Sequence, residues 1–139
     1  MMEMFLLLMG RYFIMAEAKE KVICLLSNTV VSFAADGQTT LYTVPVGKRC
    51  VLTHAIVIAG ADVGATTMSI GQVGALTDFL AVNTLSNLDA QYDVAILQPI
   101  PNTTPLKGKS YAAGVVIQAD VGSNAGGATN NVLLFGILY

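Results

Sequence analysis

His54 is the single histidine of the chain, and histidine is the side chain best suited to proton transfer near neutral pH. It shares strand parity with Cys50, Leu52, Ile56 and Ile58, which predicts a position facing a core or an interface. One histidine without a second histidine or a paired-cysteine motif does not make a transition-metal site. We therefore interpret His54 as structural, with no catalytic and no metal-binding residue in the chain.

The carboxylates after Glu20 are all aspartates, six in number: Asp36, Asp62, Asp78, Asp89, Asp93 and Asp120. Most adjoin predicted strand ends, where aspartate commonly caps turns. Asp89 and Asp93 could contribute oxygen ligands to a calcium site, but the acidic loop motif of calcium sites is missing. Without a glutamate, a glycosidase pair also lacks its usual general acid.

One short segment has the appearance of a nucleotide site. Gly108-Lys109-Ser110 resembles the end of a phosphate-binding loop, yet Thr103 stands where that motif needs its first glycine, and prolines flank the segment. We therefore predict a protein that is not an enzyme and has no cofactor.

The composition favours a protein that works by binding to other proteins. Apolar residues make up 54% of the 139 residues and charged residues only 12%, against about 25% in an ordinary domain. An uncharged surface of this kind invites contact with partners. The net charge of −2 and the absence of a clustered basic face predict no nucleic-acid partner.

Cys24 and Cys50 are the two cysteines, and each lies in an apolar stretch. A free cysteine in such surroundings behaves as a small core residue. We favour two buried thiols over a disulfide between them.

The first fifteen residues, MMEMFLLLMGRYFIM, differ from everything that follows. Their apolar core Phe5–Met9 is far shorter than the roughly 20 residues that span a bilayer, so no membrane partner is predicted. Glu3 and the late Arg11 do not fit the basic start of a signal peptide. Two interpretations remain open. Either translation starts at Met15 and residues 1–14 are not in the mature chain, or residues 1–21 form an arm that docks on a neighbouring subunit.

From Val22 onward, apolar β-branched runs alternate with turn residues. The predicted strands cover residues 22–26, 29–34, 38–44, 49–59, 66–71, 78–82, 93–97, 110–119 and 131–139. Asp36-Gly37 and Pro45-Val46-Gly47-Lys48 are turn sequences, and the prolines of residues 99–105 exclude a central strand there. About eight short strands without amphipathic helices predict an all-β antiparallel sandwich or jelly roll over residues 22–139.

Two of these strands, Val51–Ile58 and Val132–Leu138, are apolar on both parities. A strand with this pattern is buried on both faces. In a small sandwich one face of each sheet is turned away from the core, so we expect a second subunit to cover it.

The segment Thr40–Ile58, TLYTVPVGKRCVLTHAIVI, resembles a pattern of small virion proteins of tailed bacteriophages. The pattern has the form T-L-Y-T-V-P-x-G-K-R, followed by a Val/Thr/Ile strand and often by a small-residue strand such as Thr66–Gly71. The N-terminal extension and the C-terminal NVLLFGILY are not matched by it.

This resemblance implies a β-sandwich that acts as a capsid decoration, or cement, protein. Such a protein would form a homo-oligomer, expected to be a trimer, and stabilise the shell by binding across junctions of the major capsid protein. It would be located in the virion, after assembly in the bacterial host cytoplasm. The family supplies no catalytic residues.

Two alternatives remain. One is a tail- or fibre-associated module that recognises the host surface, and the other is a carbohydrate-binding domain. Both would use a groove of Tyr, Asn and Asp side chains, with loops Asn83–Tyr92 and Gly122–Asn131 as candidates. The tyrosines considered for it are Tyr42, Tyr92, Tyr111 and Tyr139.

Overall fold

The computed structural model describes residues 22–100, 107–123 and 127–139. Over these ranges the chain forms nine strands and no helix. The strands are β1 (Cys24–Ser32), β2 (Gly37–Thr43), β3 (Cys50–Ile58), β4 (Thr67–Gln72), β5 (Ala75–Thr84), β6 (Val94–Leu97), β7 (Ser110–Tyr111), β8 (Val116–Gly122) and β9 (Thr129–Leu138). The all-β prediction is confirmed. The predicted arm of residues 1–21 lies outside the described residues.

The strands form two antiparallel sheets that pack face to face, which confirms the predicted sandwich. The first sheet has the order β1-β9-β3-β6, and the short β7 also pairs with β3. The second sheet has the order β2-β8-β4-β5. Strands β6 and β7 pair with different stretches of β3, residues 55–58 and 50–51, on the edge opposite β9.

Three of the predicted strands need correction. Residues 110–119 are not one strand, because the chain leaves the first sheet after Tyr111 and enters the second at Val116. Gly114 makes this turn possible with a φ of +81°, a left-handed conformation that glycine adopts without a steric cost. In place of two strands over residues 22–26 and 29–34 there is the single strand β1, Cys24–Ser32, which contains a β-bulge between Leu25 and Ser27.

Two of the chain's passages between the sheets are residues 44–49, from β2 to β3, and residues 112–115, from β7 to β8. The two crossovers are hydrogen-bonded to each other, because Val44 N donates to Val115 O at 3.0 Å and Gly114 N donates to Val44 O at 2.8 Å. The first crossover is the Pro45–Lys48 turn, closed by Lys48 N donating to Pro45 O at 3.2 Å. The segment Thr40–Ile58 is therefore the passage from β2 through this turn into β3.

The core lies between the two sheets. Its members are supplied by alternate residues of both, among them Val57 and Leu134 from the first sheet and Ile70 and Ile117 from the second, all fully buried. Among the described residues, no helix has the length and apolar character needed to cross a bilayer.

Candidate functional site

The outer face of the first sheet carries many apolar side chains, together with the hydrogen-bonded pair Asn28 and Asn131. On β9, Val132 and Leu134 are fully buried in the core, while the alternate residues Leu133, Phe135 and Ile137 point away from it and are only partly covered. The same alternation holds on β3 and β6. The apolar outer face consists of Leu25, Val30, Val51, His54, Ile56, Ile58, Val94, Ile96, Leu133, Phe135 and Ile137.

The strand register places these side chains in adjoining rows. Ile56 lies opposite both Leu133 and Ile96, so three branched apolar residues cross the sheet in line. Residues at the edges are strongly exposed, with Ile96 at 66% and Val30 at 64% of their full accessible area. A contiguous apolar patch across four strands is a mark of an interaction surface.

His54 lies in the middle of this face. Its ring stacks on that of Phe135, with centroids 4.5 Å apart and planes 5° from parallel, and its Nδ1 is 3.1 Å from Thr53 Oγ1. A β-bulge between Leu52 and His54 changes the strand parity, so Cys50 and Leu52 point into the core while His54 points outward. The predicted shared parity of these residues is thus wrong. The prediction that His54 faces an interface stays a prediction.

One end of the apolar outer face has a polar rim. Arg49 Nε donates to Ser110 Oγ at 2.9 Å, and Ser110 Oγ is 2.5 Å from the hydroxyl of Tyr139. The backbones of Arg49 and Tyr139 are also paired by two hydrogen bonds of 2.8 and 3.0 Å. An apolar centre with a polar border is the usual anatomy of a protein interface.

A cavity of about 360 Å³ opens beside β3, in the gap between the stretches paired with β6 and β7. Its lining residues are Leu52, Thr53, Asp78, Phe79, Gln98, Pro99, Lys107, Gly108, Lys109 and Tyr111. None of its lining residues belongs to loop Asn83–Tyr92 or to the described residues of loop Gly122–Asn131, so no pattern in the sequence indicated it.

Asp78 of β5 is the most heavily bonded side chain at the cavity. Its Oδ1 accepts from the hydroxyl of Tyr111 at 2.9 Å and from Gln72 N at 3.2 Å, and its Oδ2 forms an ion pair with Lys109. The Lys109 ammonium also lies 5.3 Å from the centroid of the Tyr111 ring. Because both carboxylate oxygens are engaged, Asp78 joins the two sheets and is not poised as a catalytic base.

Burial is the main reason that the pKa of Tyr111 is raised above its ordinary value, and its hydrogen bond to Asp78 raises it further. A phenol with a raised pKa stays protonated and donates to the carboxylate. The Tyr111 hydroxyl therefore remains a hydrogen-bond donor, as a structural link between the two sheets requires.

The two cysteines are free thiols. Cys50 is fully buried, as predicted, whereas Cys24 is only partly buried. Burial raises the pKa of Cys50 to about 11, and nearby Cys24 adds to the shift. A thiol with this pKa is protonated and unreactive at neutral pH.

The remaining candidates occupy turns and separate parts of the surface. Asp93 Oδ2 accepts from Asp89 N at 3.1 Å and from Ala90 N at 2.9 Å, so it caps a turn. Within the described ranges, no three His, Cys, Asp or Glu side chains cluster as a metal site would require. Tyr111 is buried and Tyr92 is 75% exposed in a loop, so the tyrosines considered for sugar binding do not share one surface.

Comparison with protein-family models, curated proteins and solved structures found no match for this chain.

Two features of the site were missed by the sequence analysis. The link between Asp78 and Tyr111 joins residues 33 positions apart, and nothing in the local pattern indicates it. The stack of His54 on Phe135 depends on the bulge in β3, which shifts the register by one residue. By contrast, the apolar character of both faces of β3 and β9 could be read directly from the run of residues.

Proposed function

We propose that this protein is a structural component of a bacteriophage virion, a capsid decoration protein that stabilises the shell as a homo-oligomer. The single observation that carries the proposal is the apolar outer face of the first sheet. Burying such a face stabilises an assembly by about 25 cal/mol per Å², and a shell that holds many copies multiplies this modest contribution.

Two further observations support an assembly role. The passage from β2 into β3, which resembles phage virion proteins in sequence, forms a tight turn between the two sheets. Asp78 and Asp93 are both engaged in structural contacts, Asp78 with Tyr111 and Lys109 and Asp93 with backbone amides. The expected partners are further copies of the chain, as a trimer, and the major capsid protein.

The experiment that tests this proposal uses virions of a phage whose genome encodes the chain. Antibody labelling in electron micrographs and mass spectrometry of purified particles would place the protein. We expect it on the capsid in many copies, and heads stripped of it should lose mechanical stability and regain it when the purified protein is added back. Labelling confined to the tail would replace the capsid role with a tail role. Its absence from particles would reject both.

A carbohydrate-binding module is the second candidate, and the cavity beside Phe79 is the observation that favours it. An aromatic side chain next to Thr53, Gln98 and Lys107 offers a ring face and hydrogen-bonding groups, as sugar sites do. Titration with host-surface oligosaccharides, followed by chemical shifts of these residues, distinguishes the candidates. Saturable shifts at the cavity would support host recognition, and unchanged spectra would leave assembly as the function.

A further inference from the structure

We propose that the apolar outer face is the docking site for residues 1–15 of a second copy of this chain. This inference rests on the proposed assembly function and names the segment that would cover the face. No strand of the described residues packs on the apolar outer face. Both the face and residues 1–15 are rich in apolar side chains.

None of the eleven members of the apolar outer face is Asp, Glu, Lys or Arg, although the polar pair Asn28 and Asn131 lies on the same side of the sheet and Arg49 lies in the polar rim. Residues 1–15 are equally apolar, since their only charged side chains are Glu3 and Arg11. Between these two lies Met4–Gly10, MFLLLMG, an uninterrupted run without a polar side chain. Contact between two such surfaces removes apolar area from water without burying an unpaired charge.

The dimensions of the face match the length of the segment. Four strands at about 4.8 Å spacing and about seven residues of length give an area on the order of 300–400 Å². Fifteen residues span about 22 Å as a helix and about 50 Å when extended, which is enough to cross the face.

The place where the described chain begins connects the segment to this face. Val22 and Ile23 are 48% and 57% exposed, and they lead directly into β1 of the first sheet. Leu25, which is 50% exposed, lies opposite Phe135, so the apolar outer face extends to the point where residues 1–21 join the sandwich.

The sequence between the segment and the sandwich indicates a neighbouring copy instead of the same chain. To cover its own face, the chain would have to reverse direction just before Val22. Residues 16–21, AEAKEK, contain none of the Gly, Pro, Asn, Asp or Ser residues that make tight reversals. Ala, Glu and Lys instead favour a stretch that continues in one direction, and on this ground we assign the face to residues 1–15 of a neighbouring copy.

Photo-cross-linking of the full chain tests this inference. A benzophenone amino acid replaces Ile96, an exposed member of the apolar outer face on the edge strand β6. The probe-carrying chain is made with ¹⁴N and mixed, through unfolding and refolding, with a large excess of unmodified full chain made with ¹⁵N. Peptides joined by irradiation are then identified by mass spectrometry, and the intact mass verifies that both chains begin at Met1.

The expected result is a cross-link from position 96 to a ¹⁵N peptide within residues 1–15. A cross-link to a ¹⁴N peptide within residues 1–15 would overturn the inference, because the segment would then cover the face of its own chain. A cross-link to residues 22–139 of a ¹⁵N chain would also overturn it while leaving the proposed assembly intact. A monomer without intermolecular cross-links would reject the inference and the proposed oligomer together.

Substitutions in the full chain provide an independent readout. Leu7→Asp places a charge within the apolar run of the segment, and we expect it to abolish the oligomer seen by light scattering. Val82→Asp is the matched control, because Val82 is 63% exposed on β5 of the second sheet. If Leu7→Asp and Val82→Asp leave the same oligomer mass as the unmodified chain, the segment does not hold the copies together.

Discussion

Tyr111 of β7 donates its hydroxyl hydrogen to Asp78 of β5 at 2.9 Å, and this bond ties the first sheet to the second. Tyr111 is 2% exposed, so its hydroxyl has little access to water as an alternative partner. A buried bond to a carboxylate is stronger than one between neutral groups. The short β7 strand, only two residues long, is therefore held by a side chain as well as by its pairing with β3.

Tyr111→Phe removes this bond and keeps the ring. We expect the free energy of unfolding to fall by about 1–2 kcal/mol, as for other hydrogen bonds to charged groups. The measurement is urea denaturation followed by tyrosine fluorescence or circular dichroism. Tyr92→Phe is the control, because Tyr92 is 75% exposed and should tolerate the change. Equal midpoints for both variants would mean that the Asp78 link contributes nothing to stability.

Stability should fall at alkaline pH, and Cys50 should dominate the first part of the decrease. The pKa of Cys50 is raised from 9.0 to about 11, mainly by burial, so the unfolded chain loses this proton before the folded one does. Its contribution is therefore fully present below about pH 9 and is lost as the pH rises towards 11, on the order of 2 kcal/mol in total. Tyr111, whose pKa is also raised, adds to the decrease above about pH 10.

The variant Cys50→Ala separates this effect from general alkaline unfolding. It should lower stability at neutral pH, yet flatten the decrease between pH 9 and pH 11, measured by urea denaturation at each pH under reducing conditions. Cys24→Ala is the control and should keep most of the slope, because Cys24 is only partly buried. A Cys50→Ala chain with the slope of the unmodified protein would contradict the assignment.

Gly71 of β4 lies where the backbones of β4 and β5 approach closely. A methyl group at this position would come within 2.2 Å of Ala75 O and 2.6 Å of Leu76 C, and both are backbone atoms that cannot rotate away. We expect Gly71→Ala to lower the free energy of unfolding by about 1–3 kcal/mol or to prevent folding. Gly127→Ala meets no atom within 4 Å and should be neutral. Thermal denaturation of the pair is sufficient to show the difference.

The proposed assembly predicts that a charge on the apolar outer face disrupts it. Ile96→Asp should convert the oligomer into a monomer at micromolar concentration, since burying an unpaired carboxylate costs several kcal/mol. Because Ile96 is already 66% exposed, the fold of the single chain should not change. Light scattering gives the mass, and circular dichroism shows whether the sandwich is retained. A monomeric unmodified chain would reject the proposal at once.

Much of the sandwich could be predicted because each strand carries a local signal. The runs that became β2, β3, β6 and β9 were located within two residues of their ends, since β-branched residues and turn dipeptides mark them independently of the rest of the chain. The run of residues 110–119 was misread because the apolar pattern continues through Gly114, and nothing local indicates that the chain changes sheets there. The turn at Gly114 is fixed by hydrogen bonds to Val44, a residue far away in the sequence.

The sequence by itself determined that the chain is all-β, that its charge is too sparse to cover an ordinary surface, and that β3 and β9 are apolar on both faces. These properties follow from residue type and periodicity along the strand. Only the tertiary structure decided which residues meet, such as Tyr111 with Asp78 and His54 with Phe135. The physical reason is that strand order and β-bulges determine which side chains come into contact. Both depend on pairing between strands that are distant in the sequence and compete for the same sheet edges.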